Sequence, residues 1–279
     1  MRAGKAKETL KIVEDGEYVN ARGERVAVRK LVDEAIAHTE LYTPESFGEL
    51  GGSENRGGVS PLVEVTAETT AEAGMRLVTK EDIADVVALN FASAKNPGGG
   101  FMGGAKAQEE DLALCSALYN CLVKQPQYYA ANRACGTLLY TDHIIYSRAV
   151  PFFRDDRLQL LDKPFCLSII TAPAPNAGEV LRRDSSAEDA IYETLKRRAA
   201  HVLEVAARHR HRTLVLGAWG CGVFRNKPEA VADIFATHLQ GEFFRGKFDR
   251  VVFAVYDTSA SRKTYSAFAE RFAASRWLQ

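Results

Sequence analysis

A chain of 279 residues, 46% of them apolar, can bury one large core or one core plus an accessory segment, so a globular fold is the starting point. Its 36 basic and 36 acidic side chains cancel, which excludes a global field able to hold nucleic acid or an anionic membrane; any polyanionic substrate must be gripped by a local site. No apolar run approaches the roughly 18 residues of a membrane span, and the charged N-terminus lacks the apolar core of a signal peptide, so a cytoplasmic protein is expected.

Residues 1 to about 50 read as a helix, a short hairpin around Asn20-Ala21-Arg22-Gly23, and a second helix from about Arg29, an accessory layer. Leu31, Ile36 and Leu41 make an apolar stripe there, for which core packing is the commoner explanation and partner docking the other. The run Gly51-Gly52-Ser53-Glu54-Asn55-Arg56-Gly57-Gly58 is a polar, glycine-rich breaker and divides the chain into an accessory segment, 1–58, and a main domain, 59–279.

Beyond the breaker, short β-branched and apolar runs alternate with helical patterns: Leu62–Val65, a helix near Thr70–Val78, Val86–Phe91, and a helix from about Gln108 to Val123. Strands follow at Ile144–Ser147 and Leu167–Ala172, separated by the polar turn Arg154-Asp155-Asp156-Arg157, then a helix from Ala187 to Arg208. Strand Thr213–Leu216, helix Pro228–Leu239, strand Val251–Val255 and a terminal helix from about Arg262 complete the chain; Pro228 suits a helix start because its missing N–H would be unpaired there anyway. Such alternation predicts α/β layering around a mixed or parallel sheet.

Asn96-Pro97-Gly98-Gly99-Gly100-Phe101 follows a buried strand and precedes the helix that opens at Gln108-Glu109-Glu110. Strand, glycine loop and helix start are the order an anion site needs, because glycines let backbone N–H groups approach a phosphate and the helix end adds partial positive charge. A plain tight connection is the other reading of three glycines, and no Gly-Lys-Ser/Thr follows to make a P-loop. Gly217-Ala218-Trp219-Gly220-Cys221-Gly222-Val223-Phe224 repeats the order after Thr213–Leu216, and two such loops on matching strand ends can face each other across a diphosphate.

Glu109 and Glu110 can serve merely to complement the helix dipole. Neighbours on a helix point about 100° apart, so they cannot act as a symmetric carboxylate pair and must hold different jobs. His209-Arg210-His211 has no third ligand nearby, and no Gly-x-Ser-x-Gly elbow occurs. Cys115, Cys121, Cys135, Cys166 and Cys221 are odd in number and contain no Cys-x-x-Cys, which points to reduced, packed thiols, Cys221 included. Neither a metal nor a cofactor is expected.

Gly98-Gly99-Gly100, seven intervening residues, then Gln108-Glu109-Glu110 resemble the signature of bacterial-type poly(ADP-ribose) glycohydrolases. The stretches Leu89–Pro97, Ile170–Asn176 and Gly217–Asn226 resemble the same family, over roughly residues 60 to 260, and the N-terminal segment looks like its helical extension. The resemblance implies a macrodomain-like three-layer α/β/α fold with a mixed sheet, an N-terminal helical extension and ADP-ribose in a cleft at the strand ends. It implies Glu110 as general acid/base and Glu109 as its neighbour on the ribose hydroxyls. Gly98, Gly99 and Gly100 would form the catalytic loop, with Gln108 and Phe101 also binding substrate, and Gly220, Cys221, Gly222, Val223 and Phe224 the diphosphate loop, with Phe224 on the ribose end. Asn90 or Asn96 would contact the distal ribose, and Val255 and Tyr256 the adenine. The implied activity is hydrolysis of ribose–ribose bonds in poly(ADP-ribose) on ADP-ribosylated proteins, from chain ends, by a monomer releasing ADP-ribose, with no direct nucleic-acid or membrane partner. A non-catalytic ADP-ribose reader and a mono-ADP-ribosyl hydrolase share the pocket and stand as the alternatives.

Overall fold

The computed structural model describes residues 2–48, 58–273 and 277. Its elements are α1 (Arg2–Asp15), β1 (Glu17–Val19), β2 (Arg25–Ala27), α2 (Arg29–Ala37), β3 (Thr39–Tyr42), β4 (Leu62–Thr66), α3 (Thr70–Thr79), β5 (Val86–Phe91), α4 (Gln108–Cys115), α5 (Leu118–Leu122) and α6 (Pro126–Ala134). These are followed by β6 (Ile144–Arg154), β7 (Leu160–Ala172), α7 (Ala177–Arg183), α8 (Glu188–Arg208), β8 (Thr213–Gly217), α9 (Pro228–Gln240), β9 (Arg250–Ala254) and α10 (Lys263–Arg271).

Among the described residues, seven strands join in the order β3-β6-β7-β5-β8-β9-β4. The run from β7 to β4 is parallel, while β6 and β3 are antiparallel to their neighbours, so the sheet is mixed. Central β5 is buried on both faces: Val87 and Leu89 enter the core beneath α8 and α9, Val86 and Ala88 the core beneath α3 and α4. Helices thus cover both faces, which is the expected three-layer α/β/α arrangement.

The N-terminal helix, hairpin and second helix form where periodicity puts them, but their last strand goes further. β3 pairs with β6, Thr39 opposite Ser147, so residues before the glycine-rich breaker supply an edge of the main sheet. On α2 the buried face is Val32 and Ala35, with Ile36 and Leu41 partly buried beside the same core. The breaker's residues 51–57 lie outside the described residues.

One expected helix divides. Gln108–Val123 breaks at Ser116, whose backbone is extended (φ −144°, ψ 179°) and bridges to Phe152. The Ser116 hydroxyl donates to Leu112 O at 2.7 Å and accepts from Leu118 N at 3.1 Å, replacing helical backbone bonds at the break. The strands expected at Ile144–Ser147 and Leu167–Ala172 are the paired ends of a longer hairpin, β6 and β7.

Candidate active site

β5 and β8 are adjacent and parallel, so the loops that leave Phe91 and Gly217 emerge side by side at one edge of the sheet. Alternation along β5 turns Asn90 to the same side as Val86 and Ala88, toward α4. Gln108 locks the start of α4 to that strand: its Oε1 accepts from Phe91 N at 2.8 Å, and its Nε2 donates to Leu89 O at 2.8 Å and Thr70 Oγ1 at 3.0 Å.

With the helix start locked, the two glutamates diverge. Glu109, 3% exposed, accepts from Ser93 N at 2.6 Å and Asn90 Nδ2 at 3.3 Å. Asn90 Nδ2 also donates to Thr171 Oγ1 of β7 at 3.2 Å. Glu110, 8% exposed, turns to the glycine loop and accepts from Gly100 N at 2.7 Å. Burial, the largest cause, pushes the Glu109 carboxyl up to about 8; the Ser93 N–H and Asn90 amide oppose this, and the charge of Glu110 adds to it. Tyr128 and Tyr129 are buried, and their phenols are held well above the ordinary value, first by burial and further by the charge of Glu109 and, for Tyr129, by Tyr128.

The loop itself is tight. Gly98 and Gly99 have φ of +65° and +57°, Gly99 N donates to Asn96 O at 3.0 Å, and Phe101 N to Gly98 O at 3.0 Å. A Cβ on Gly99 would overlap Glu110 Oε1 and stand 3.2 Å from Glu109 Oε2, so both carboxylates close on this one residue. Phe101, expected to touch substrate, turns its side chain inward instead. Its ring is fully buried against Ala6, Ala113 and Leu114 and lies 5.1 Å from that of Tyr119. An apolar ring next to a polar cleft gains more from this small core, where it fastens the loop to α1 and α4. Arg2 Nε adds a bond to Ala105 O at 3.1 Å.

In the second loop Trp219 is buried and its indole donates to Ala172 O at 3.1 Å, tying the loop to the end of β7. Gly220 has φ +71°, and a Cβ there would come within 2.5 Å of the Ala174 Cβ. Asn226 Nδ2 donates to Gly220 O at 3.0 Å and Pro175 O at 2.9 Å, closing the turn. At the tip, Gly222 faces open space and Val223 is 82% exposed. Phe224 is half-buried, its carbonyl accepting from Gly178 N at 3.0 Å. Burial raises the Cys221 thiol, which leaves it a poor nucleophile. Tyr256 is 58% exposed just beyond buried Val255. Of the two candidate asparagines, Asn90 is buried on Glu109, whereas Asn96 is exposed at the loop.

Ser93, Thr171, Trp219 and Asn226 were not singled out by sequence reasoning. Ser93 acts through its backbone N–H, which carries no side-chain signal, and the others matter through contacts across 47 to 81 positions. The His209-Arg210-His211 motif belongs elsewhere: His211 bonds Asp85 and Tyr146, while His209 bonds Tyr42 and stacks on Tyr146 at 3.6 Å. Both imidazoles are lowered by burial, next to the start of β8 and away from the glycine loops. Two concavities of about 480 and 560 Å³ lie near Arg210 and Lys247 and near Asp233 and Lys263, and include no residue of either glycine loop. The chemistry is located by the buried carboxylates.

Comparison with known proteins gives the family and the fold. The family model described as the catalytic domain of microbial-type PARG matches residues 6–155, just over half of the chain. Poly(ADP-ribose) glycohydrolase from Thermomonospora curvata bound to the inhibitor ADP-HPD is 44% identical, with a TM-score of 0.89, over 97% of this chain and 99% of that one. Poly(ADP-ribose) glycohydrolase from Deinococcus radiodurans in complex with ADP-ribose is 46% identical, with a TM-score of 0.81, over 90% of this chain and 100% of that one. No curated protein matches the chain.

Proposed function

The chain belongs to the microbial-type poly(ADP-ribose) glycohydrolases, and from that premise we propose that it hydrolyses the ribose–ribose bonds of poly(ADP-ribose) with Glu110 as acid and base. The observation that carries this assignment is the bond from Gly100 N to Glu110 Oε1 at 2.7 Å, which sets one of two adjacent carboxylates on the glycine loop. Glu109 is committed instead to Ser93 and Asn90.

Cleavage of the glycosidic bond leaves positive charge on the ribose ring and needs a proton on the departing hydroxyl oxygen. Glu110 gives that proton, then accepts one from the water that attacks the anomeric carbon, so it ends as it began. Glu109, held by Asn90 of β5 and by Ser93 N, fixes the ribose hydroxyls. The second loop, Gly220–Phe224, holds the diphosphate through the N–H groups of Gly222, Val223 and Phe224, while in the first loop, expected to share that task, the N–H groups of Gly99 and Gly100 are taken by Asn96 O and Glu110 Oε1. Phe224 packs on the ribose end, Asn90 or Asn96 reaches the distal ribose, and Tyr256 borders the adenine. Positioning supplies what a second catalytic carboxylate supplies in other glycosidases.

The enzyme trims polymer from its ends, acts as a monomer in the cytoplasm and releases ADP-ribose. Within the N-terminal segment, α1 serves as a buttress to the catalytic loop, a reading supported by the packing of α1 on Phe101 and by Arg2 on Ala105. The test is incubation with poly(ADP-ribose) on an automodified carrier, products resolved by chromatography beside Glu110→Gln. Free ADP-ribose from the wild type, with turnover by the variant down at least about a thousandfold and ADP-ribose affinity within severalfold, is expected. Near-normal activity in the variant removes Glu110 from the mechanism. Oligomers in place of single ADP-ribose units remove the chain-end preference.

A further inference from the structure

The chain carries 36 basic and 36 acidic side chains, so a polyanion is held only where that balance fails locally. One such place lies between the C-terminal end of α8, the turn before β8 and the segment that joins α9 to β9. There Arg208, Arg210, Arg212, Arg245 and Lys247 line a concavity of about 480 Å³, against two carboxylates, Glu204 and Glu242.

The five cations are not equivalent. Arg208 is bonded to Glu204 and donates to Ser46 O at 2.8 Å. Arg212 donates through Nε to Asp249 at 3.0 Å and through Nη1 to Gly246 O and Lys247 O at 2.9 and 2.8 Å, so it builds the wall. Among the described residues, no carboxylate bonds the other three. His209 and His211 turn inward to Tyr146, which leaves Arg210 between them exposed. Arg245 is exposed and donates to Gln240 O at 3.1 Å. Lys247 is half-buried, its Nζ held 3.9 Å over the Phe243 ring, which Phe244 braces edge-on at 4.8 Å. Burial pushes the Lys247 ammonium below its ordinary value. A cation fixed in place and partly out of water, with no carboxylate bonded to it, is stabilised by an arriving anion.

We propose that this concavity is a second binding site for the phosphates of poly(ADP-ribose), taking a stretch of polymer remote from the bond being cut. The identity of the polymer rests on the glycohydrolase reading. Arg212 precedes β8 and Gly217 ends it, so the basic concavity and the second glycine loop stand at opposite ends of a strand about 15 Å long. A single ADP-ribose between the glycine loops leaves the concavity untouched. A chain of many units, each carrying a diphosphate, meets both. The site therefore favours long polymer over short without contacting the reacting atoms.

The test compares Arg210→Asn/Arg245→Gln/Lys247→Gln with the parent chain. Asparagine is chosen at position 210 because φ there is +61°. Binding of size-fractionated long polymer is read by fluorescence anisotropy in the Glu110→Gln background, which prevents cleavage, and ADP-ribose affinity by calorimetry. The triple variant is expected to bind long polymer at least about tenfold more weakly, with a shallower dependence on salt. In the active chain KM on long polymer rises to match while kcat and ADP-ribose affinity stay within about twofold. Arg210→Lys/Arg245→Lys, which keeps both charges, stays within about threefold of the parent. Should the triple variant be unfolded, Arg210→Asn/Arg245→Gln carries the comparison, since both side chains are exposed. Unchanged affinity for long polymer in a folded variant overturns the proposal, as does an equal loss on ADP-ribose. Single-stranded RNA of matched charge, bound as tightly as polymer and lost in the same variant, overturns the assignment of the site to substrate. Failure of the wild type to cleave polymer overturns the glycohydrolase reading, and it is read on that protein alone, apart from the binding comparison.

Discussion

Gly99 lies so close to Glu110 that a Cβ on Gly99 would overlap the carboxylate oxygen and stand 3.1 Å from Cδ. Together with φ +57°, this makes the position a glycine twice over: by backbone conformation, and by the space the carboxylate occupies. Gly99→Ala therefore has to move either the loop or Glu110. A shift on the order of 1 Å at a reacting group can cost about a hundredfold in rate, so kcat on polymer should fall by at least that much. Single-turnover kinetics beside wild type is the check, and an unaffected rate would show that Glu110 does not act from the position seen here.

Glu109 gives a signature in stability against pH. Its carboxyl is held up to about 8 when folded, against an ordinary 4.5, so the folded chain binds this proton more tightly than the unfolded one. Below pH 4.5 both states hold the proton and the group costs nothing; as pH rises toward 8 only the unfolded state releases it, and stability falls. Glu109→Gln removes that slope. Melting temperatures in matched buffers should diverge in favour of the variant across this window, and parallel curves would show that the carboxyl ionises as it does in water.

Gly220 and Gly222 separate loop conformation from ligand contact. Gly220→Ala meets the Ala174 Cβ at 2.5 Å and keeps an unfavourable φ of +71°, and should destabilise the free protein by about 1–3 kcal/mol. Gly222 faces open space, so Gly222→Ala should leave stability within about 0.5 kcal/mol. It should nonetheless weaken ADP-ribose binding, because the added methyl enters the space a diphosphate approaches. Urea unfolding and calorimetric titration of both variants resolve the two effects; full affinity in Gly222→Ala would take the loop tip out of the site.

Ala6 tests the role of the N-terminal helix. It is fully buried against Phe101, Ala113 and Leu114, directly beneath the catalytic loop. Ala6→Leu overpacks this cluster at a cost of about 1–3 kcal/mol and should lower kcat more than it raises KM, because Phe101 carries the loop with it. Loss of stability with kcat intact would make α1 a prop for the fold alone.

Much of this arrangement is written in local pattern. The alternation of Val86, Ala88 and Asn90 against Val87 and Leu89 specifies a doubly buried strand with a polar group at its end, and Gly98–Gly100 before Gln108-Glu109-Glu110 specifies a loop feeding a helix start. The divergence of Glu109 and Glu110 follows from helix geometry alone. Each is a property of neighbours in sequence, which is why periodicity and spacing reveal it.

Tertiary structure decided the rest. That Phe101 turns inward depends on Ala6 of α1, that the helix breaks at Ser116 depends on Phe152 across a bridge, and that β3 becomes an edge of the main sheet depends on β6. The meeting of Tyr140 with Phe224 depends on Arg198, a cation whose full burial is tolerable because Asp142 and three carbonyls receive it. Local sequence specifies which faces are apolar, and competition among distant partners for a limited buried volume specifies which of those faces meet.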